Sequence, residues 1–248
     1  GASWPHPEGW VDLVYTVRSS TYGAQPGLQI EWVDWRPAEK EGGELALRQP
    51  IQALDFRSCR RPLVELKALQ SEREWQIWCE GEDCASIGGL DRTKLAPGEN
   101  LVIWTPPPGE EELLAVLRRV QPERVAFFAV STGCEALEPF LRRLVGLLKY
   151  CMRQRGGEAA LVELAAAAGQ RVVAVRLALC WLDATGKIQV QFLPEERVRL
   201  SDGRAIKNSG SEEILSRLKA VLDETAAFRT FYLRADAGVL LWTTSSKG

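Results

Sequence analysis

The sequence predicts an α/β protein with a parallel, doubly wound sheet, an appended winged-helix-like unit and an N-terminal β-hairpin. Three observations lead to this prediction. Apolar and polar residues alternate in 10–18 and 27–36, short apolar segments alternate with helical patterns through 51–155, and a helix–turn–helix pattern precedes two more alternating segments after residue 156. A period of two residues indicates strands, and a period of about 3.6 residues indicates helices.

The first alternating segments predict the hairpin. A loop with Ser, Gly and Pro separates 10–18 from 27–36. A two-stranded hairpin is marginally stable alone in water, so we expect 1–36 either to pack on the next domain or to be the remnant of a larger β-domain that lay upstream. Residues 37–50 are rich in Pro, Gly and charge and are predicted to be a linker.

Residues 51–155 are predicted to form an α/β domain. Strands that alternate with helices imply a parallel sheet with right-handed connections. Thr132 and Glu135 have the spacing of a capping box before the last helix of this region. The predicted strands are 51–56, 74–79, 100–105 and 124–130, and the predicted helices are 62–71, 110–120 and about 134–155.

Residues 156–248 are predicted to form the winged-helix-like unit, followed by a helix and a strand. The order helix, short turn, helix and hairpin is the layout of a winged helix-turn-helix. The predicted helices are 158–168, 170–184 and about 211–225, and the predicted strands are 187–193, 197–200 and 238–242.

The amino-acid composition limits the classes of protein to which this chain can belong. Of the residues, 46% are hydrophobic and 26% are charged, which is typical of a globular protein. No apolar run reaches the roughly 18 residues of a membrane helix, and no signal peptide is evident, so we expect a cytoplasmic protein without membrane contact. The six cysteines form no CxxC pair and are predicted to be reduced thiols.

Catalytic and cofactor sites are not predicted. The single histidine, His6, lies near the start, which excludes a His-rich metal centre or a catalytic triad from this chain. The strand-to-helix loops lack the glycine spacing of a nucleotide-binding loop. We therefore expect no catalytic residue, no metal ligand and no cofactor in this chain.

Local basic groups are the candidate binding residues, because the net charge of −2 gives no long-range attraction for nucleic acid. They fit phosphate contact or the docking of an acidic protein segment, while a solvated surface is the structural alternative. A patch of Arg171, Arg176 and Lys187 is favoured. The full set is Arg142, Lys149 and Arg153 on the long helix, Arg171 and Arg176 on the second helix of the winged-helix-like unit, Lys187 on its hairpin, and Arg18 and Tyr22 beside the N-terminal loop.

Several motifs together resemble the C-terminal region of RecJ-type single-stranded-DNA exonucleases. Residues 11–36 are similar to the end of that family's OB-type domain, with Val11-Asp12, Tyr22-Gly23, Leu28-Gln29 and Asp34-x-Arg36 at the recurring positions. Residues 100–130 resemble its accessory domain in the order strand, Pro-Pro, helix, Pro, strand, and 158–193 carry the small helical unit with its hairpin.

The resemblance implies the non-catalytic part of an enzyme that degrades single-stranded DNA from the 5′ end in DNA repair and recombination. The Mn or Mg pair of that family is held by upstream domains, and no position here matches their motifs. Implied partners are single-stranded DNA, single-strand-binding protein or a helicase. The alternative is a free-standing winged-helix regulator with an α/β sensing domain. The start at Gly1-Ala2-Ser3 without Met leads us to expect a fragment.

Overall fold

The computed structural model describes residues 11–20, 27–37, 51–81, 84–133, 135–203 and 210–242. The chain is a mixed α/β protein that divides into two compact units, Gly1–Gln49 and Pro50–Gly248. Its described part contains one parallel sheet of five strands, two antiparallel sheets and seven α-helices.

The first unit contains an antiparallel pair of strands, β1 (Val11–Ser20) and β2 (Gly27–Pro37). The register runs from Val11 opposite Pro37 to Ser20 opposite Gly27, and it shifts by one residue so that Val33 has no partner. Such a bulge increases the local twist of the ribbon. The loop between the strands, 21–26, lies outside the described residues.

The parallel sheet belongs to the second unit. Its strands are β3 (Gln52–Asp55), β4 (Gln76–Trp78), β5 (Gly89–Leu90), β6 (Asn100–Ile103) and β7 (Arg124–Phe127), in the order β3-β7-β6-β4-β5. The sequence predicted parallel strands within 100–105 and 124–130, and the pairing of β6 with β7 confirms this. Strand β5 was not predicted, because two residues are too few to show a period.

Helices cover both faces of the parallel sheet. On one face, Leu66 of α1 (Pro62–Glu72) packs among alternate residues of β4, β6 and β7. On the other face lies α2 (Glu110–Val120), whose apolar stripe packs on the remaining strand residues. Three glutamates in the first turn of α2 and two arginines in its last turn complement the helix dipole.

A second core lies around α3 (Leu137–Gln154). Phe140, Leu144 and Leu148 of this helix pack with α4 (Leu161–Ala168) and α5 (Val172–Ala184). Helix α3 therefore shares its core with elements that follow it, although the sequence analysis had grouped it with the parallel sheet. Between α4 and α5 the chain turns at Gly169, whose positive φ of 61° ends α4 in the left-handed conformation.

A three-stranded antiparallel sheet completes this part. Its strands are β8 (Glu158–Ala160), β9 (Ile188–Leu193) and β10 (Arg197–Asp202), in the order β8-β10-β9. The sequence analysis assigned 158–160 to a helix because Ala and Glu are strong helix formers. Pairing with β10, in which Ala159 lies opposite Val198, overrides that local preference.

The C-terminal elements correct one prediction. Helix α6 (Ser211–Arg234) is longer than expected, and a short helix, α7 (Ala237–Trp242), stands where a strand was predicted over 238–242. Asp236 explains the helix, because its Oδ1 accepts a hydrogen bond from Gly238 N at 2.7 Å, as an N-cap does. Leu240 and Leu241 are buried against the parallel sheet, and a short run of apolar residues does not distinguish a helix turn from a strand.

Candidate binding surfaces

The crevice at the carboxyl ends of the parallel strands is filled by the chain itself. Ligands of open α/β sheets commonly bind in this crevice. Here the turn at Gly169 and Gln170 occupies it, and a Cβ placed on Gly169 would lie 2.9 Å from Gly81 Cα. Both glycines have positive φ, and only residues without side chains allow the two backbones to approach so closely.

A buried ion pair holds this turn from the sheet side. Glu80, which follows β4, and Arg92 are both buried and form a salt bridge. Glu80 Oε1 also accepts hydrogen bonds from Trp78 Nε1 at 2.9 Å and from Arg92 N at 2.8 Å. Arg92 Nη2 in turn donates to the Gln170 carbonyl oxygen at 3.0 Å. The pair thus fixes the α4–α5 turn to the parallel sheet.

Helix α6 holds the same turn from the other side. Arg229 is buried and donates to the Gly169 carbonyl oxygen. Its Nη1 also donates to Thr132 Oγ1 and to Glu135 Oε1, each at 3.1 Å. The predicted capping box is therefore wrong. Helix α3 begins at Leu137, and the two side chains expected to cap it bind the arginine instead.

The cysteine prediction also needs correction. Cys79 and Cys84 form a disulfide beside β5, whereas all six cysteines were predicted to be reduced. A Cβ on Gly89 would lie 2.6 Å from Cys84 Cβ, so the bridge packs directly on a glycine. The disulfide closes a short loop that contains Glu80, one of the residues that hold the α4–α5 turn. The C-x4-C spacing carried no recognised pattern that would have indicated the pairing.

The structure brings together four predicted binding residues along one groove. We call it the basic groove: it lies between α3, the end of α5 and β9, and it comprises two adjoining depressions of about 480 and 600 Å³. Aliphatic side chains and one indole line the groove. The basic residues that line it are Arg142, Lys149, Arg153 and Lys187, and the acidic ones are Glu138 and Asp202, so the local charge is +2.

Three of these cations are available to a ligand. Lys149, Arg153 and Lys187 are exposed and form no ion pair within the described residues. Arg142 instead pairs with Glu138 one helical turn away, at 2.7 Å. Lys187 Nζ lies 4.5 Å from the centroid of the Trp181 ring, which is a cation–π contact. The basic groove therefore offers charge at its rim and apolar surface along its floor.

The favoured patch of Arg171, Arg176 and Lys187 is not formed. Arg171 precedes α5 and Lys187 follows it, so a helix of about 20 Å separates them. Arg171 pairs with Glu224 of α6 at 2.9 Å, and Arg176 pairs with Glu196 at 3.2 Å. Arg171 and Arg176 were predicted to lie on one helix, but their ion-pair partners come from distant segments and could not be predicted from the sequence.

The remaining predicted site residues lie in the first unit. Arg18 is in β1, and its side chain is outside the described set. Tyr22 lies in the loop 21–26, which is outside the described residues. Neither can be placed on a surface.

The described part of the chain contains neither a metal-ligand cluster nor a single helix of membrane-spanning length. No group of three His, Cys, Asp or Glu side chains there is arranged to hold a metal ion. No single described helix is long and apolar enough to span a membrane, and α4 and α5 reach that length only as a pair bent by 103°.

Comparisons with known protein families, with curated proteins and with solved structures find no match to this chain.

Proposed function

We propose that this chain is the non-catalytic C-terminal region of a RecJ-type single-stranded-DNA exonuclease, and that its basic groove binds an acidic segment of a partner protein. The observation that carries the binding role is the convergence on one groove of Lys149, Arg153 and Lys187, which form no ion pair with any described residue. The sequence motifs of 11–36, 100–130 and 158–193 carry the relation to the exonuclease.

The topology after residue 136 supports a winged-helix unit within this proposal. Helices α3, α4 and α5 pack around one core, and the order β8-β10-β9 places the strand before α4 beside the last strand of the hairpin. Such an order of helices and strands supports the proposed winged helix-turn-helix. In the same proposal, the paired β1 and β2 are the last strands of an OB-type domain.

A protein segment fits the basic groove because of what lines its floor. Val145, Leu148 and Leu182 are aliphatic, and aliphatic surface accepts apolar side chains more readily than it accepts nucleobases, which stack on aromatic rings. Carboxylates of the segment would pair with the rim cations. The acidic tail of single-strand-binding protein has this chemistry, and an acidic segment of a helicase is another partner of the same kind.

Single-stranded DNA is a second candidate ligand of the basic groove. Trp181 supports it, because an indole beside cations can receive a base. With a local charge of only +2, such binding should be weak, salt-sensitive and indifferent to sequence.

The proposal assigns no chemistry of DNA cleavage to this chain. The resemblance places the Mn or Mg pair of the parent enzyme in upstream domains, and the described residues offer no set of ligands for it. We expect the purified chain to release no nucleotides from single-stranded DNA with either metal. Metal-dependent degradation by this chain would contradict the proposal.

The test is a titration of Lys149→Ala/Arg153→Ala against an acidic peptide and against a thymine oligonucleotide. Loss of two charge-assisted contacts should weaken peptide binding at least tenfold. The control, Lys67→Ala/Arg118→Ala, removes two exposed positive charges elsewhere and should bind as the parent does. Unchanged binding by the first variant would refute the basic groove as the site.

The free-standing regulator remains the alternative to the exonuclease fragment. The two differ in what precedes Gly1 in the gene. A DHH motif in the upstream reading frame would support the exonuclease, and an initiator codon next to this segment would support the regulator.

A further inference from the structure

A second exposed surface lies between α5 and the turn that joins β9 to β10. We call it the turn face and define it by Val173, Arg176, Phe192, Glu195 and Glu196. Val173 and Phe192 are 39% and 41% exposed, although both are large apolar side chains. Arg176 connects them, because it lies one helical turn after Val173 and its guanidinium carbon lies 5.4 Å from the Phe192 ring centroid.

The charge of the turn face is negative. Glu195 forms no ion pair among the described residues, and Glu196 pairs with Arg176 at 3.2 Å, so two glutamates face one arginine. The basic residues of β10 lie on the other side of the sheet from the turn face. Arg197 and Arg199 alternate with buried residues of the strand and pair with Glu158 of β8 on the outer side of the sheet.

This charge disfavours DNA at the surface that a winged helix commonly uses for it. In such units the second helix of the helix-turn-helix enters the groove, and the adjacent elements meet the phosphates. Here the exposed positions of α5 include Val173, and the tip of the turn carries Glu195 and Glu196. Carboxylates at this tip would repel a phosphate backbone.

We propose that the turn face docks a cationic protein segment with an apolar anchor, and that it does not bind DNA. The apolar anchor would pack on Val173 and Phe192, and its Lys or Arg side chain would pair with Glu195, because Glu196 already pairs with Arg176. This surface and its partner are independent of the basic groove, whose ligand is acidic.

The backbone of the turn allows a test that does not unfold the protein. Glu195 and Glu196 have φ values of 57° and 53°, and Arg197 N donates to the Pro194 carbonyl oxygen at 3.3 Å. A positive φ strains a glutamate, whereas Asn and Gly adopt it more readily. The variant Glu195→Asn/Glu196→Gly therefore removes both charges and also suits the turn better than the native residues do.

The probe is a synthetic amphipathic peptide of leucine and lysine, titrated into the full chain at low ionic strength. The parent should bind it, and Glu195→Asn/Glu196→Gly should bind it about fivefold more weakly. The variant loses the ion pair of the peptide with Glu195 and leaves Arg176 without its partner beside a cationic peptide, and each change costs about 0.5 kcal/mol. Its melting temperature should equal or exceed that of the parent. Phe192→Ser removes the apolar contact and should weaken peptide binding in the same direction.

Two controls separate this proposal from the basic groove. Glu212→Gln/Glu213→Gln removes two exposed charges from α6 and should leave peptide binding unchanged. Binding of an acidic peptide should be insensitive to the turn variant if the two surfaces are separate. The proposal is overturned if the parent does not bind the leucine–lysine peptide, if the turn variant binds it as the parent does, or if Phe192→Ser abolishes binding of a thymine oligonucleotide.

Discussion

Removal of the Glu80 carboxylate should strongly destabilise the second unit. The side chain is 3% exposed and forms its salt bridge with Arg92 in the interior. Glu80→Ala would leave the buried guanidinium of Arg92 with only a longer contact, in which its Nη1 lies 3.7 Å from Glu112 Oε1. It would also leave Trp78 Nε1 and Arg92 N without the oxygen to which both now donate.

The expected loss is about 3–5 kcal/mol, which is the usual cost of breaking a buried ion pair by removing one partner. Typical domains have about 5–15 kcal/mol of total stability, so this is a large fraction. The double variant Glu80→Leu/Arg92→Met removes both charges at once. It should recover part of the loss, because neither charge of the pair then remains in the interior, although Glu112 loses its 3.7 Å contact with Arg92.

The assay is urea unfolding followed by circular dichroism and by tryptophan fluorescence. Both probes are needed because the chain has two units, and each unit can unfold in its own transition. Asp223→Ala on the exposed side of α6 is the control and should change stability by no more than about 0.5 kcal/mol. A loss below about 1 kcal/mol for Glu80→Ala would refute the assigned role of the ion pair.

Three further predictions concern other contacts. Tyr232 is buried, which raises the pKa of its hydroxyl, and this hydroxyl donates to the Phe128 carbonyl oxygen at 2.9 Å. Tyr232→Phe leaves that oxygen without its donor and should lower the free energy of unfolding in urea by about 1–3 kcal/mol. An unchanged free energy of unfolding would contradict this. A side-chain hydrogen bond from Arg57 lowers the pKa of Asp55 in the folded state, so the stabilisation is present above about pH 4 and is lost as the pH falls through the folded pKa. The free energy of unfolding of Asp55→Asn should therefore fall less steeply than that of the parent as the pH is lowered below about 4. The same pH dependence in both proteins would show that the Asp55–Arg57 hydrogen bond does not stabilise the fold. Arg171→Ala/Arg176→Ala should bind an acidic peptide with the affinity of the parent, because both arginines already pair with glutamates. A loss of affinity above about threefold would support the binding patch that was predicted from the sequence.

Candidate site residues were predictable only as residue types on particular helix faces. The spacing of Lys149 and Arg153 placed them on the polar side of α3, and the structure leaves them exposed there. Lys187 could not be grouped with them from the sequence, because it meets α3 only after α5 and β9 pack against that helix. Arg229 was missed altogether, since an arginine in a long charged helix is typically solvated, and its burial depends on segments far away in the chain.

Local pattern by itself determined the class of this protein and most of its elements. The fully apolar segments at β6 and β7 predicted a parallel sheet, because a strand buried on both faces has no polar side. Helices with clear amphipathic periods, such as α2, were located to within a few residues. The positions of these strands and helices depend on residues that are close in the sequence, so the hydrophobic periodicity predicts them directly.

Tertiary structure alone decided where distant groups meet. Strand β8 exists because β10 pairs with it. The leucines of α7 are buried because they pack on the parallel sheet, and Gly81 meets Gly169 only in the folded chain. The same holds for the basic groove and for the buried pair of Glu80 and Arg92. The free energy of such contacts depends on burial and on partners many residues away, which a local pattern does not contain.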